Sequence, residues 1–289
     1  MTFIITKISN HGVSHPFVAR LSIQTSELLQ WSELSKDDQE EVCGLYMTTL
    51  QPRLLKCFDI VSRLKQALAE SSASAQNEQR QQGDRRVRAM PHVVGLQGEV
   101  ESFVYESKNY LRDLLNLFRI FFGFSKISAS QFYDVKGKGE SQVASWSRMK
   151  FGADDALTRL LQSEQAWVEQ TVRMRDAVEH PGGWSGTLTV HNVRLHPRGF
   201  IPPTWSRTGR PESDIFTDLE TTMQNPLTIA EDLLVACIKK RPVFANVEFY
   251  EIAEKDRNPV TPQRIKVGFT PEFECMLAEI ADQNASNSK

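Results

Sequence analysis

Apolar residues recur every three or four positions along four long stretches of the chain, which is the spacing that places them on one face of an α-helix. The second stretch is the clearest, because its apolar residues from Val93 to Phe122 fall on one arc at about 100° per residue. Pro52 and Pro226 are expected to kink or divide the first and fourth helices, and Pro181 with two following glycines ends the third. The four predicted helices cover residues 36–70, 93–122, 153–180 and 212–239.

Short apolar stretches flanked by turn residues predict strands outside these helices. Two of them, at residues 3–8 and 17–23, lie near the start of the chain. Residues 71–88 are too polar to compensate for their ordering entropy, so we expect a mobile connector there. Residues 124–150 and the Pro- and Arg-rich segment from Arg194 to Pro211 are predicted to be mainly loops. The attached strands are placed within residues 1–30, 187–195 and 243–270.

The pattern as a whole predicts a mainly α protein. We expect an antiparallel four-helix bundle at residues 36–240, with a small attached antiparallel β-sheet. The chain has no internal repeat, and the polar connector divides helices rather than domains, so we expect residues 1–289 to form a single domain.

Composition narrows the classes of function. The 289 residues are 40% hydrophobic and carry 34 basic and 36 acidic side chains, a net charge of -2, so any site for a polyanion must be local. No apolar run approaches the roughly 18 residues that a membrane span needs, and we expect no membrane partner. The four cysteines show no short paired spacing, which fits a reducing cytoplasm.

The third predicted helix carries two charged residues on its apolar face. Glu164 and Arg175 both fall within this face at about 100° per residue. Since charged side chains are rarely buried without a partner, each needs an explanation. One is a structural ion pair of Arg175 with Glu164 or with the second helix, or an Arg175 head group that reaches solvent. The other is a functional site built between helices.

The end of this helix carries a motif. Arg175, Asp176, three further positions and His180 resemble the Arg, polar residue, three residues, His motif of the HEPN family, the higher eukaryotes and prokaryotes nucleotide-binding domain. In that family the motif closes the penultimate helix of a four- or five-helix bundle, and here it ends the third of four predicted helices. Many members are metal-independent endoribonucleases whose site forms across a homodimer interface. The resemblance covers residues 36–240 and implies RNA or a nucleotide as ligand, no metal or cofactor, and a toxin or defence role that would admit a protein antitoxin.

The resemblance implies a role for each motif residue. Arg175 would bind the scissile phosphate, because its planar fork of donors matches phosphate oxygens. His180 would act as general acid or base, since an imidazole titrates near neutral pH, and Asp176 would orient it. Arg175 and His180 diverge by about 140° on an ideal helix, so they converge only if the helix end distorts. Pro181 favours that distortion, because it disfavours the α conformation at His180.

Further RNA contacts are predicted nearby. Arg173 lies about 20° from His180 on the helix and is a candidate phosphate contact. The segment after the helix mixes cations and aromatic rings in a composition that can hold phosphates and stack bases, although a solvated connector is the alternative. Histidine pairs at 11 and 15 and at 191 and 196 lack a local third ligand, so no metal site is expected. The candidate RNA-binding residues are Arg173, Arg194, Arg198, Trp205 and Arg207.

Two alternatives to a nuclease remain open at this stage. One is a non-catalytic HEPN-like module in which the same residues bind nucleotide or RNA, or stabilise the dimer. The other is a monomeric helical bundle in which Arg175 belongs to an internal ion pair and has no role with RNA.

Overall fold

The computed structural model describes residues 10–82, 89–134, 139–197, 199–276 and 279–280. It is mainly helical with small antiparallel sheets, as the sequence pattern predicts. The α-helices and strands, in chain order, are α1 (Pro16–Val18), α2 (Gln24–Leu29), α3 (Lys36–Gly44), α4 (Gln51–Gln82), α5 (Leu96–Leu114), α6 (Asn116–Phe122), α7 (Gln142–Phe151), α8 (Ala156–Ser163), α9 (Gln165–Glu179), β1 (Leu188–His191), β2 (Arg194–His196), β3 (Gly199–Ile201), β4 (Thr204–Arg207), β5 (Ser213–Asp214), α10 (Ile215–Lys240), β6 (Val247–Glu251) and β7 (Ile265–Phe269). There are also two π-helical segments, Ala19–Ile23 and Leu45–Leu50, two 3₁₀ turns, Ala129–Phe132 and Glu254–Asp256, and a helical stretch at residues 271–276.

The chain divides into two compact units, where the sequence pattern predicted one domain. We call them the terminal unit and the central unit. The terminal unit comprises Met1–Gln51, Leu117–Phe124 and Ala230–Lys289, and the central unit comprises Pro52–Asn116 and Ser125–Ile229.

The terminal unit is held by a buried charge network. The Glu231 carboxylate accepts hydrogen bonds from Arg20 Nε at 2.8 Å, from Gln24 Nε2 at 2.7 Å and from Arg264 Nε at 2.8 Å. Arg264 also pairs with Asp232. The same unit contains the antiparallel pair β6–β7, in which Phe249 lies opposite Val267. Because each buried charge here has an opposite partner, the network serves structure.

The central unit packs α5 against α9 and carries the three-stranded antiparallel sheet β1-β4-β5. Val100, Phe103 and Leu111 of the predicted apolar arc are fully buried. Ser107, also on this arc, is buried and donates to the Phe103 carbonyl at 3.0 Å, so its hydroxyl is satisfied within its own helix. The motif residues and all other candidate site residues belong to this unit.

Three local predictions are wrong, each for a physical reason. Residues 17–23 are helical and not a strand. The prediction failed because a short apolar run that is buried on all sides has no period that distinguishes a strand from a helix. Residues 71–82 of the predicted connector continue α4, since alanine, glutamine and glutamate favour the extension of a helix that has already formed. Part of the predicted loop at 124–150 is α7, which Ser141 caps by accepting from the Ala144 N–H.

The predicted strand at 3–8 and the connector residues 83–88 lie outside the described residues. Within the described part of the chain, no helix has the length and apolar character required to cross a membrane.

Candidate functional site

His180 lies immediately after the last residue of α9 and leaves the helical conformation. Its φ of -129° and ψ of 68° are outside the α region, as the following Pro181 requires. Its backbone N–H still donates to the Asp176 carbonyl at 2.9 Å, so the turn remains attached to the helix. The side chain is 72% exposed. An imidazole at this position can reach a ligand in solvent.

Arg175 and His180 converge on one carboxylate. Arg175 Nη1 pairs with Glu179 Oε2, and His180 Nε2 lies 3.5 Å from the same oxygen. The distortion at the helix end therefore brings together two side chains that an ideal helix would separate. Glu179 has no place in the predicted site, although its spacing of four from Arg175 on a helix is a recognisable signal.

The partners of Asp176 differ from the predicted ones. Its Oδ1 atom lies 2.6 Å from Lys108 Nζ and 3.4 Å from Arg175 Nη1. His180 is not among its partners in the described structure, so the contacts of Asp176 do not give it the orienting role that the motif implies. Glu179 is the carboxylate beside the imidazole.

The Arg175 side chain is 18% exposed and lies against α5. Its guanidinium carbon is 4.9 Å from the centroid of the Tyr105 ring, a cation–π distance. The predicted ion pair with Glu164 does not form, because Glu164 accepts from the Trp167 indole instead. Tyr105 and Lys108 are missing from the predicted site, and only their spacing of three on a helix could have indicated that they share a face.

Arg173 lies beside aromatic rings on a neighbouring face of α9. Its Nε pairs with Glu169 at 2.7 Å, and its guanidinium is 5.5 Å from the Trp184 ring centroid and 6.0 Å from that of Tyr133. Burial raises the pKa of the Tyr133 hydroxyl, and the charge of Asp176 raises it further. Trp184 is 84% exposed in the loop after His180. The glycines that flank Trp184 in the sequence indicate a loop, and that is the signal that could have placed this ring at the surface.

Arg207 is a buried cation without an acidic partner. It is 8% exposed, its Nη1 donates to the Ser185 carbonyl at 2.9 Å, and its Nε has no hydrogen-bond partner among the described residues. Burial lowers the pKa of its guanidinium, and the nearby charges of Arg173 and Arg210 lower it further. The charges of Arg173 and Arg210 act on Arg207 against one opposing charge, that of Glu169, and this local excess of positive charge around Arg207 suits an anion.

The other predicted RNA-binding residues do not lie on a single loop. Their segment forms β2, β3 and β4, so the prediction of a loop from Arg194 to Pro211 is wrong for most of its length. Arg194 pairs with Glu212. Trp205 is buried on β4 and donates from Nε1 to Asp218 Oδ2 at 2.6 Å, which removes it from any exposed stacking surface. Arg198 lies outside the described residues.

Comparison of the chain with protein-family models, with curated proteins and with solved structures gives no match. Over the described residues, no three His, Cys, Asp or Glu side chains are grouped so as to hold a metal ion.

Proposed function

We propose that the chain is a metal-independent endoribonuclease of the HEPN type. The observation that carries the proposal is the convergence of Arg175 and His180 on the Glu179 carboxylate at the exposed end of α9. An acid–base group in solvent contact and a guanidinium thus lie together, which supplies two of the three groups that metal-free RNA cleavage uses: a base, an acid and a cation for the phosphate.

The proposed reaction is an internal transesterification. A base removes the proton of the ribose 2′-OH, the 2′-oxygen attacks the adjacent phosphorus, and the bond from phosphorus to the 5′-oxygen breaks. An acid protonates the leaving 5′-oxygen, so the products carry a 2′,3′-cyclic phosphate and a 5′-OH. His180 serves as acid or base, and Arg175 binds the phosphate oxygens on which negative charge accumulates.

Glu179 is the carboxylate that orients His180 in this proposal. It contacts the imidazole and the guanidinium together, so it can hold both side chains in place before RNA arrives. A phosphate oxygen would then compete with this carboxylate for Arg175, because both are anionic acceptors for the same donors. Asp176 is shared between Lys108 at 2.6 Å and Arg175 at 3.4 Å, so Lys108 weakens the competition of this second carboxylate for Arg175.

The RNA strand would continue toward Arg173 and Arg207. Trp184 offers an exposed ring for base stacking, and Arg207 offers a guanidinium that forms no ion pair with a carboxylate of the described residues. A phosphate bound there would compensate for the mutual repulsion of the three arginines. We further propose a cytoplasmic homodimer as the active form, with a protein antitoxin as the partner that would restrain it.

Cleavage of an end-labelled, structured RNA in EDTA tests the proposal. Wild type should cut, whereas His180→Ala and Arg175→Ala should lose cleavage by at least a hundredfold and keep the wild-type circular dichroism spectrum. His92→Ala is the matched control, because His92 is an exposed histidine outside the site. The oligomeric state is measured on the same samples. Equal cleavage by wild type and His180→Ala would refute the proposed role.

A non-catalytic RNA- or nucleotide-binding module is the second candidate. It is favoured by the charge balance at the motif, where Asp176 and Glu179 already neutralise Arg175 and Lys108. In this case a folded wild-type dimer binds RNA without cutting it, and Arg175→Ala lowers the unfolding temperature or changes only binding. The same cleavage assay, run beside a binding assay, separates the two candidates.

A further inference from the structure

A cavity of about 210 Å³ lies between α5, α9, β4 and α10 in the central unit. Its α9 wall is formed by residues spaced three and four apart, from Trp167 to Met174, which share one helical face. Asp176 lies about 170° from the centre of that face. The cavity therefore shares no residue with the proposed cleavage site.

The walls of this cavity are aromatic and fixed. Trp167 and Trp205 line it together with Met174. The indole N–H of Trp205 donates to Asp218, and that of Trp167 donates to Glu164, so both rings are anchored by their polar edges. Rings held in this way provide a preorganised surface for stacking a flat ligand.

Three polar side chains of the cavity are not engaged in hydrogen bonds within the described structure. Gln170, Thr222 and Asn225 line it, and within the described structure none of their side chains has a hydrogen-bond partner. Asn225 is partly exposed and Gln170 is exposed, so both carboxamides are open to a ligand that enters the cavity. Each carboxamide offers a donor beside an acceptor, the pattern that pairs with the edge of a nucleobase.

Size and charge narrow the ligand further. An apolar cavity of about 150 Å³ accepts benzene and drug-sized ligands need at least about 300 Å³, so this cavity suits one or two fused rings. Arg207 lies two residues beyond Trp205 on the same face of β4, about 7 Å away. Arg173 precedes Met174 on α9 and lies near Arg207. Neither arginine lines the cavity, so they would meet only a phosphate that extends out from a ring bound inside it.

We propose that this cavity binds the base of a nucleotide, with Gln170 and Asn225 reading its edge and Arg207 receiving its phosphate. This inference goes beyond cleavage, since the site can select a base whether or not His180 cuts RNA. The nucleotide is either free or part of an RNA strand. Both sources present the same base and phosphate.

Binding to the full chain is measured by tryptophan fluorescence and calorimetry. The probes are the four ribonucleoside monophosphates, the four ribonucleosides and homopolymeric RNA ten-mers. We expect one base to bind at least tenfold more tightly than the others. Saturation by the monophosphate identifies a free nucleotide as the ligand, and saturation only by the ten-mer of that base identifies RNA. Absence of base-dependent binding by any probe at millimolar concentration would overturn the proposal.

Variants locate the binding. Gln170→Ala and Asn225→Ala should each weaken it about tenfold, whereas Gln224→Ala, an exposed neighbour that does not line the cavity, should not change it. Arg207→Met should weaken monophosphate binding and spare nucleoside binding. His180→Ala should bind the base like wild type, so failure of cleavage and failure of this site are distinguishable. Unchanged affinity in both amide variants would overturn the proposal.

Discussion

Two buried arginines are expected to differ in how much the stability of the protein changes when each is replaced by methionine. Arg207 and Arg264 are each 8% exposed. Arg264 pairs with Glu231 at 2.8 Å and also with Asp232, whereas Arg207 donates only to the Ser185 carbonyl and has no acidic partner among the described residues. Replacement by methionine keeps much of the side-chain volume and removes the charge.

The expected free energies follow from the partners that are left behind. Arg264→Met leaves two carboxylates in a buried network without this cation, which should lower the free energy of unfolding by about 3–5 kcal/mol. The loss should lie near the lower value, because Arg20 and Gln24 still bind Glu231. Arg207→Met loses one hydrogen bond of about 1.5–3 kcal/mol. It also removes an unpaired buried cation whose desolvation costs several kcal/mol. We therefore expect Arg207→Met to lie within about 1 kcal/mol of wild type or to be more stable.

Urea unfolding of the three full-length proteins at neutral pH, followed by circular dichroism, measures these differences. On the same samples, RNA affinity should fall about tenfold in Arg207→Met. The dependence of this affinity on salt concentration should weaken by the amount expected for the loss of about one phosphate contact. A stability loss in Arg207→Met as large as that in Arg264→Met would refute the reasoning. Arg207 would then be a structural cation, and the anion site would have no basis.

Three further predictions concern single side chains of the central unit. Burial alone would raise the pKa of Glu106, but hydrogen bonds from two cations of α4 outweigh it and lower that pKa. The ionised Glu106 therefore stabilises the fold above its unfolded pKa of about 4.3, and this stabilisation is lost as pH falls through its folded pKa. In urea unfolding, Glu106→Gln should cost about 1 kcal/mol of stability at pH ~7 and almost nothing near pH ~3. Burial raises the pKa of the Cys57 thiol to about 12, so iodoacetamide should label exposed Cys275 in the native protein and label Cys57 only after unfolding, as mass spectrometry would show. Lys108→Met removes the cation that shares Asp176 with Arg175, so Asp176 should compete more strongly with phosphate for the motif arginine. The cleavage rate should then fall at least tenfold with the fold intact, and an unchanged rate would exclude this competition.

Local patterns in the sequence were sufficient to predict much of the structure of the central unit. The arc from Val100 to Leu115 is buried as its period predicts, because an amphipathic helix must place that face in a core. The departure of His180 from the helix was also predictable, since it follows from the backbone restriction that Pro181 imposes on its neighbour. Both properties depend on residues close together in the sequence.

The remaining parts depend on contacts between distant residues. Tyr105 and Lys108 join the site only because α5 packs on α9, and no spacing within the chain indicates that pairing. Strand β4 was hidden in a Pro- and Arg-rich segment, because its pairing partner β1 lies outside that segment. The choice of Glu179 over Asp176 as neighbour of His180 depends on the side-chain positions at a distorted helix end.

The central claim is that the chain cuts RNA through attack by a ribose 2′-OH with His180 as acid or base. The most direct test uses a labelled RNA and the same RNA with one 2′-deoxyribose at the mapped cut site, both incubated with wild type and His180→Ala in EDTA. We predict that wild type cuts only the all-ribose strand at that site and leaves a 2′,3′-cyclic phosphate, and that His180→Ala cuts neither strand there. Cleavage of the deoxy-substituted strand at the same site, or ends without a cyclic phosphate, would contradict the account.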